Sequence, residues 1–190
     1  MEAIAKGTVV GQSYRLLQLL GRGGMGEVWM AQHLRLPRRV AVKFLLASAN
    51  DRPELLARFK RETQVTSQLG HPNIVEVLDT NTMSDGRPYY VMELLEGENL
   101  RHRLRDGKIP QDRTLELLRQ IASGLHAAHR AGVVHRDLKP ENIFLARVTT
   151  DFGAEGEVAK IVDFGISKLQ RPQDFVTCDN RVLGTAPYAC

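Results

Sequence analysis

The octapeptide HRDLKPEN, His135 to Asn142, gathers a carboxylate, a lysine and a carboxamide in one short stretch. Asp137 can accept the proton of a hydroxyl, and Lys139 can neutralise a phosphoryl group in transfer. Asn142, five residues after the aspartate, can ligate a metal ion. A His, an Arg and an Asp alone are common in solvated loops and carry little weight. The full octet in this order points instead to phosphoryl transfer.

A second signal is GRGGMGEV, in which Gly21, Gly23 and Gly26 form a G-x-G-x-x-G pattern. A dinucleotide site needs a helix directly after the last glycine, whereas Val28 and Trp29 open a strand. A P-loop needs Lys after Gly26, and the chain has Glu27. What remains is a β-hairpin whose backbone N–H groups can close over phosphates, with Val28 against a base, or else a purely structural turn. In VAVKFL, Ala41 and Lys43 face one side and Val40, Val42 and Phe44 the other. A lysine in an apolar strand is costly unless paired. Nineteen residues on, Glu62 falls on the same predicted helical stripe as Leu55, Phe59 and Leu69, so its carboxylate faces protein. A Lys43–Glu62 pair would present an ammonium to phosphates, with small Ala41 leaving room for a base. The alternative is that Lys43 snorkels to an exposed edge.

Two DFG triplets occur, Asp151–Gly153 and Asp163–Gly165. VAKIV before Asp163 alternates as a buried strand would, and such a strand can fix a metal-binding aspartate; ARVTT before Asp151 is weaker. Asp163 is therefore the expected ligand, and Asp151 a chance match in an enlarged hairpin. Asp163 and Asn142 are hard oxygen donors, which suits Mg2+ with phosphates completing the octahedron. No histidine has a zinc spacing with cysteine partners, so the six histidines read as packing or surface residues.

These groups need a frame. From Tyr14 to Glu93 five strands are predicted, YRLLQLLG, EVWMAQ, RVAVKFL, IVEVLD and YYVMEL, forming an antiparallel sheet. One helix falls between the third and fourth, with Asp51 as N-cap, Glu54 as its capping-box partner, and Gly70 with Pro72 as its stop. Residues 1–13 are an extension, 14–95 a first lobe and 96–190 a second, with the hinge at Glu96-Gly97. The second lobe opens with a helix over Asp112 to Arg130, carrying Leu118, Ile121, Ala122, Leu125 and Ala128 and ended by Gly132. Strands Asn142–Leu145 and Val158–Val162 follow. The fold class is α+β, with a five-stranded, one-helix first lobe and an incomplete, mainly helical second one.

Composition narrows the class. At 43% hydrophobic and 25% charged residues the chain is globular, and no apolar run approaches a membrane span. The net charge of +4 raises nucleic acid as a partner. Its basic residues, over Arg35–Arg39, Arg58–Arg61 and Arg101–Arg105, do not interleave with aromatics and read as solvated surface, so nucleic acid is not expected. Two cysteines, Cys178 and Cys190, build no disulfide framework, and the first residues lack a secretory apolar segment. A cytoplasmic setting follows.

Together these motifs resemble the eukaryotic-type protein kinases, and GRGGMGEVW with HPNIV at His71–Val75 is most similar to their bacterial serine/threonine members. The resemblance runs from about Tyr14 to Tyr188 and implies a bilobal kinase-like fold that uses ATP and Mg2+ to phosphorylate a protein Ser/Thr hydroxyl. It implies Asp137 as catalytic base, Lys139 as phosphate contact, and Asn142 and Asp163 as metal ligands. Leu20, Gly21, Gly23, Gly26, Val28, Ala41, Lys43 and Glu62 would serve the nucleotide. Met92 would border adenine, the backbones of Glu93 and Leu95 would hydrogen-bond it, and Phe144 would pack beneath it. Arg136 suggests control by a phosphate on an activation segment from Asp163 to about Thr185, with Thr177 or Ser167 as acceptor, by self-phosphorylation in trans.

The pattern departs at its end. Gly184-Thr185-Ala186-Pro187-Tyr188 stands where the family reads Gly-Thr-Pro-x-Tyr, and the Ala-Pro-Glu triplet and later helices do not follow before Cys190. A truncated second lobe is therefore expected, with activity in doubt. Two alternatives stay open: a non-catalytic nucleotide-binding or partner-binding fragment, and a small-molecule phosphotransferase, against which Lys139 and the long segment after Asp163 argue.

Overall fold

In a computed structural model of the chain, the described residues are 4–23, 26–45, 63, 66–149 and 155–164. The chain divides into two compact units, Met1–Ser67 with Glu76–Leu94, and Gln68–Val75 with Leu95–Cys190.

The first unit is built on an antiparallel sheet of six strands. They are β1 (Val9–Val10), β2 (Tyr14–Gly23), β3 (Gly26–His33), β4 (Arg39–Leu45), β5 (Val77–Thr82) and β6 (Pro88–Glu93), in the order β1-β2-β3-β4-β6-β5. The five predicted strands are present, and β1 adds a short sixth at the edge. Trp29, Val40, Val42, Phe44, Tyr89 and Val91 share one face and form a core. Alternation puts Ala41 and Lys43 on the opposite face, beside Met30 and Met92 for Ala41 and Val28 and Tyr90 for Lys43. That face is also buried at β4, where Ala41 is 4% and Lys43 8% exposed. The edge-snorkelling alternative for Lys43 is thereby removed.

The predicted strand IVEVLD is divided between the units. Only from Val77 does it pair with β6; Ile74 makes a parallel bridge to Ile161 in the second unit. Its apolar run is continuous because it serves two cores in succession, which periodicity alone does not separate. The predicted helix before it, with Asp51, Glu54, Leu55 and Phe59, lies outside the described residues, apart from helical Thr63, Thr66 and Ser67. Gly70 is left-handed, at φ 48°, as a helix stop requires.

The second unit combines a three-stranded sheet, β7 (Gly97–Asn99), β8 (Ile143–Thr149) and β9 (Glu155–Ile161), with helix α1 (Leu100–Arg103), helix α2 (Gln111–Arg130) and a single 3-10 turn at Pro140–Asn142. Of the stretch expected as a hinge, Glu96-Gly97, Gly97 begins strand β7. A Cβ on Gly97 would collide with the Leu145 carbonyl oxygen, so only glycine lets β7 lie against β8 there. Helix α2 matches its predicted span within a residue, and Ile121, Leu125 and Ala128 face the core as expected, but the buried face is turned away from Leu118 and Ala122. Leu117, Ile121, Gly124 and Ala128 are buried, while Leu118, at 56% exposed, and Ala122 are not. Gly124 selects that face: a Cβ there would stand 3.0 Å from both the Asn73 carbonyl oxygen and the Ile161 side chain, so the helix approaches closest along its glycine. Gly132, at φ 75°, ends the helix as expected.

Candidate active site

Each unit carries a set of candidate groups. In the first, β2 and β3 form the glycine hairpin, with Gly21 opposite Val28 and Gly23 opposite Gly26. A Cβ on Gly26 would collide with the Phe44 carbonyl oxygen on β4, so glycine is obligatory where β3 leaves the hairpin. Leu20 is exposed on the strand leading into it. Glu27, whose place excluded a P-loop lysine, has a structural role. It pairs with Arg22 across the hairpin at 2.8 Å and accepts the Trp29 indole N–H at 3.0 Å. Sequence reasoning gave it no such function. The expected Lys43–Glu62 pair lies outside the described residues, because Glu62 does. At the end of β6, the Glu93 N–H donates to the Glu76 carbonyl at 3.0 Å, and the Glu93 carboxylate accepts the Glu76 N–H at 2.8 Å. The Glu93 amide hydrogen is therefore committed to Glu76. Met92 belongs to the first unit; Leu95 and Phe144, both half-buried, belong to the second.

In the second unit the groups of the octapeptide come together. Lys139 Nζ lies 2.8 Å from Asp137 Oδ2, and Asn142 Nδ2 donates to the same oxygen at 3.2 Å and to the Asp137 carbonyl at 2.8 Å. Asp137 and Asn142 are buried, and Lys139 is partly open to solvent. Two donors on one carboxylate oxygen fix the orientation of that carboxylate.

The loop is held by Val162, the residue directly after β9. His135 Nε2 lies 2.9 Å from the Val162 carbonyl, and the Val162 N–H donates to the Asn142 carbonyl at 2.9 Å. Both ends of the octapeptide are thus tied to the residue directly before Asp163. The Asp137 N–H donates to His135 Nδ1 at 3.3 Å, so Nδ1 is an acceptor and the proton sits on Nε2. The ring is neutral in this arrangement. Burial pushes its pKa down, opposed by the Val162 carbonyl and by the Asp163 and Asp137 carboxylates. The Phe164 ring lies 4.8 Å from the His135 ring and is 2% exposed, anchoring the other side of Asp163. Arg136 and Asp163 both have φ 61°, a left-handed conformation that costs about 1–3 kcal/mol at a non-glycine residue. The bonds to Val162 and the packing of Phe164 over-determine both turns.

Strand β9, which delivers Asp163, is clamped along its outer edge. Asn73 Nδ2 donates to the Ala159 carbonyl at 2.9 Å, and the Ile161 N–H donates to the Asn73 carbonyl at 2.9 Å. The Ala159 N–H donates to Gln120 Oε1 at 2.7 Å, and the Val75 N–H to the Ile161 carbonyl at 3.0 Å. Asn73 and Gln120 received no role from sequence reasoning; the HPNIV run contained Asn73, but nothing local in it signals a partner 86 residues away. The competing triplet at Asp151 lies outside the described residues, beyond the paired ends Thr149 and Glu155 of the β8–β9 hairpin.

The donor set fits magnesium. Commitment of Asn142 Nδ2 to Asp137 turns Oδ1 the other way, and with the Asp163 carboxylate it gives hard oxygen ligands. Among the described residues no cluster of three or more His, Cys, Asp or Glu forms an all-protein cage.

A family model described as protein kinase domain matches residues 14–190. Serine/threonine-protein kinase pkn2 of Myxococcus xanthus is 41% identical over 177 residues, covering 92% of this chain and 21% of that protein. Serine/threonine-protein kinase PknA of Mycobacterium tuberculosis is 42% identical over 187 residues, covering 96% of this chain and 41% of that protein. Among solved structures, the kinase domain of M. tuberculosis PknI superposes with a TM-score of 0.75 at 31% identity, covering 87% of this chain and 63% of that one. The chain thus spans well under half the length of these curated relatives.

Proposed function

The chain belongs to the protein kinase domain family, with serine/threonine kinases as its relatives, and from that premise we propose that it transfers the γ-phosphate of Mg-ATP to a Ser or Thr hydroxyl of a protein. The observation that carries this reading is the convergence of Lys139 and Asn142 on the Asp137 carboxylate, in a loop tied at both ends to Val162 beside Asp163.

Asp137 takes the hydroxyl proton as the substrate oxygen bonds to the γ-phosphorus and the bond to the β,γ-bridging oxygen breaks, leaving ADP. Lys139 offsets the charge on the phosphoryl oxygens in transit. Asn142 and Asp163 would hold Mg2+, which would supply neutralisation of phosphate charge. Lys43, oriented by Glu62, contacts the phosphates, and the Gly21, Gly23, Gly26 hairpin covers them. Leu20, Val28, Ala41 and Met92 of the first unit and Phe144 of the second are the side chains assigned to the base, with the backbones of Glu93 and Leu95. In this reading catalysis is mainly positioning and electrostatics, which buried, hydrogen-bonded groups are suited to provide.

Arg136 fits a regulatory site for a phosphate on the segment after Asp163, with Thr177 or Ser167 phosphorylated by a second copy of the chain. No helix among the described residues is long and apolar enough to cross a membrane. A cytoplasmic site of action is part of the proposal and rests on the cysteine usage. The test is incubation of the purified chain with labelled ATP and a generic basic protein, beside Asp137→Asn. Label transfer that the variant loses supports the reading. Nucleotide binding with no transfer by either protein would replace it with the non-catalytic fragment.

A further inference from the structure

The charge of this chain is unevenly placed. Residues 1–50 hold seven basic residues, Lys6, Arg15, Arg22, Arg35, Arg38, Arg39 and Lys43, against two acidic ones, Glu2 and Glu27, a net +5 beside +4 for the whole chain. Lys43 is buried and Arg22 is paired with Glu27. Four of the other five basic residues, Arg15, Arg35, Arg38 and Arg39, are exposed at and beside the loop joining β3 to β4. Arg15, Gln32 and Arg39 are successive cross-strand neighbours on β2, β3 and β4, and the Arg35 guanidinium reaches Ser13 Oγ at 3.1 Å. Of the carboxylates on this sheet, Glu93 is opposite Val40 on β6 and accepts the Glu76 N–H at 2.8 Å, and Asp79 accepts the Tyr14 hydroxyl at 3.2 Å.

The loop is pre-organised. Gln32 Nε2 lies within hydrogen-bond distance of the carbonyls of His33, Leu36 and Arg38, at 3.2, 3.3 and 3.0 Å. His33 Nδ1 faces the N–H groups of Arg35 and Leu36 at 3.1 and 3.2 Å, and the Leu34 N–H donates to the Ser13 carbonyl at 2.8 Å. Polar side chains and backbone hold the loop. Leu34 and Leu36, 41% and 49% exposed, contribute little to that framework and stand in water within a run of six exposed residues, Leu34 to Arg39.

We propose that this loop is a contact surface for an anionic lipid bilayer, with Leu34 and Leu36 entering the headgroup boundary and the four arginines engaging lipid phosphates. Two leucines offer far less than the roughly 800 Å² per partner of a stable protein interface. A bilayer boundary accepts such a small apolar tip, and each basic side chain adds attraction to anionic headgroups. Guanidinium forks match phosphate oxygens in geometry, and a rigid loop loses little entropy on contact.

The test is sedimentation of the purified chain with vesicles of phosphatidylglycerol and phosphatidylcholine, beside vesicles of phosphatidylcholine alone. Binding to the anionic vesicles is expected to fall as salt rises. Arg38→Glu with Arg39→Glu is expected to lower it by about tenfold or more, and Leu34→Ser with Leu36→Ser severalfold without changing its salt dependence. Arg15→Glu, on β2 and outside the loop, gives a second reading if a loop variant fails to fold. All the folded variants should keep the nucleotide-dependent thermal stabilisation of the unaltered chain, which separates this surface from the kinase site. Equal binding to phosphatidylcholine alone, or unchanged binding of the folded charge variants, would overturn the proposal. So would polyglutamate binding as strong as that to anionic vesicles, which would assign the loop to an acidic protein.

Discussion

The glycine hairpin with β4 and the loop His135–Asn142 with β9 place their chemical groups by different means. In the first unit, strand register does the placing: Lys43 and Ala41 share a face with Val28 and Met92 because antiparallel neighbours must, and Gly26 is glycine because β4 backbone fills the space of a Cβ. In the second, side chain to backbone bonds do it. His135 and Asn142 fasten a loop with a left-handed residue, Arg136, to a strand end with another, Asp163, through the two polar groups of Val162. A register scaffold tolerates change in side chains that do not face the site. A hydrogen-bonded loop depends on individual atoms.

That contrast is broken or sharpened by substitution. The largest effect is expected at Asp137: Asp137→Asn should lower phosphotransfer by about 10²- to 10⁴-fold, the usual worth of a positioned proton acceptor. Its unfolding midpoint should move little by comparison, since asparagine retains an oxygen for Lys139 and Asn142. An unchanged rate would assign the base elsewhere. Asn73→Ala leaves the buried Ala159 carbonyl without its donor and should destabilise the chain by about 1–3 kcal/mol in urea unfolding. A cost near zero would mean that β9 does not depend on this clamp.

A smaller effect is expected in acid. The Arg103 guanidinium, and then Arg113, hold the Glu157 carboxyl below its ordinary value, while burial opposes them. A depressed folded-state pKa gives stability that is present above the ordinary pKa of 4.5 and lost as pH falls through the folded value. Denaturation against pH should therefore steepen below pH 4.5, and Arg103→Ala should flatten that limb; identical limbs would deny the linkage. The smallest expected change is a gain. Burial, then the nearby Asp79 and Tyr14, raise the Tyr89 hydroxyl to about 12, and its oxygen has no hydrogen-bond partner among the described residues. Tyr89→Phe should stabilise the sheet by about 1 kcal/mol, and a loss of that size would reveal a partner for the hydroxyl.

The two scaffolds also differ in how far they could be read from residues alone. Strands β2, β3, β4 and β6 were legible because alternation and turn residues are local signals, and the face shared by Ala41 and Lys43 follows from period two. The site octet was legible as chemistry. Its support was not: His135 read only as a packing or surface residue, and no role emerged for Val162, Gln120 or Asn73, because each works through a partner distant in sequence. The buried face of α2 was misread toward Leu118 because leucine outweighs glycine in a hydrophobic pattern, whereas close approach favours Gly124. The division of IVEVLD at Glu76 was hidden for a related reason, since two cores demand the same residue types.

The proposed function requires that Lys43 in the first unit and Asp163 in the second each contribute to binding Mg-ATP. Thermal unfolding of the unaltered chain, Lys43→Met and Asp163→Asn, each with and without Mg-ATP, tests this most directly. The unaltered chain should be stabilised by Mg-ATP, and both variants should lose most of that shift. Full shifts retained in both variants would contradict the account.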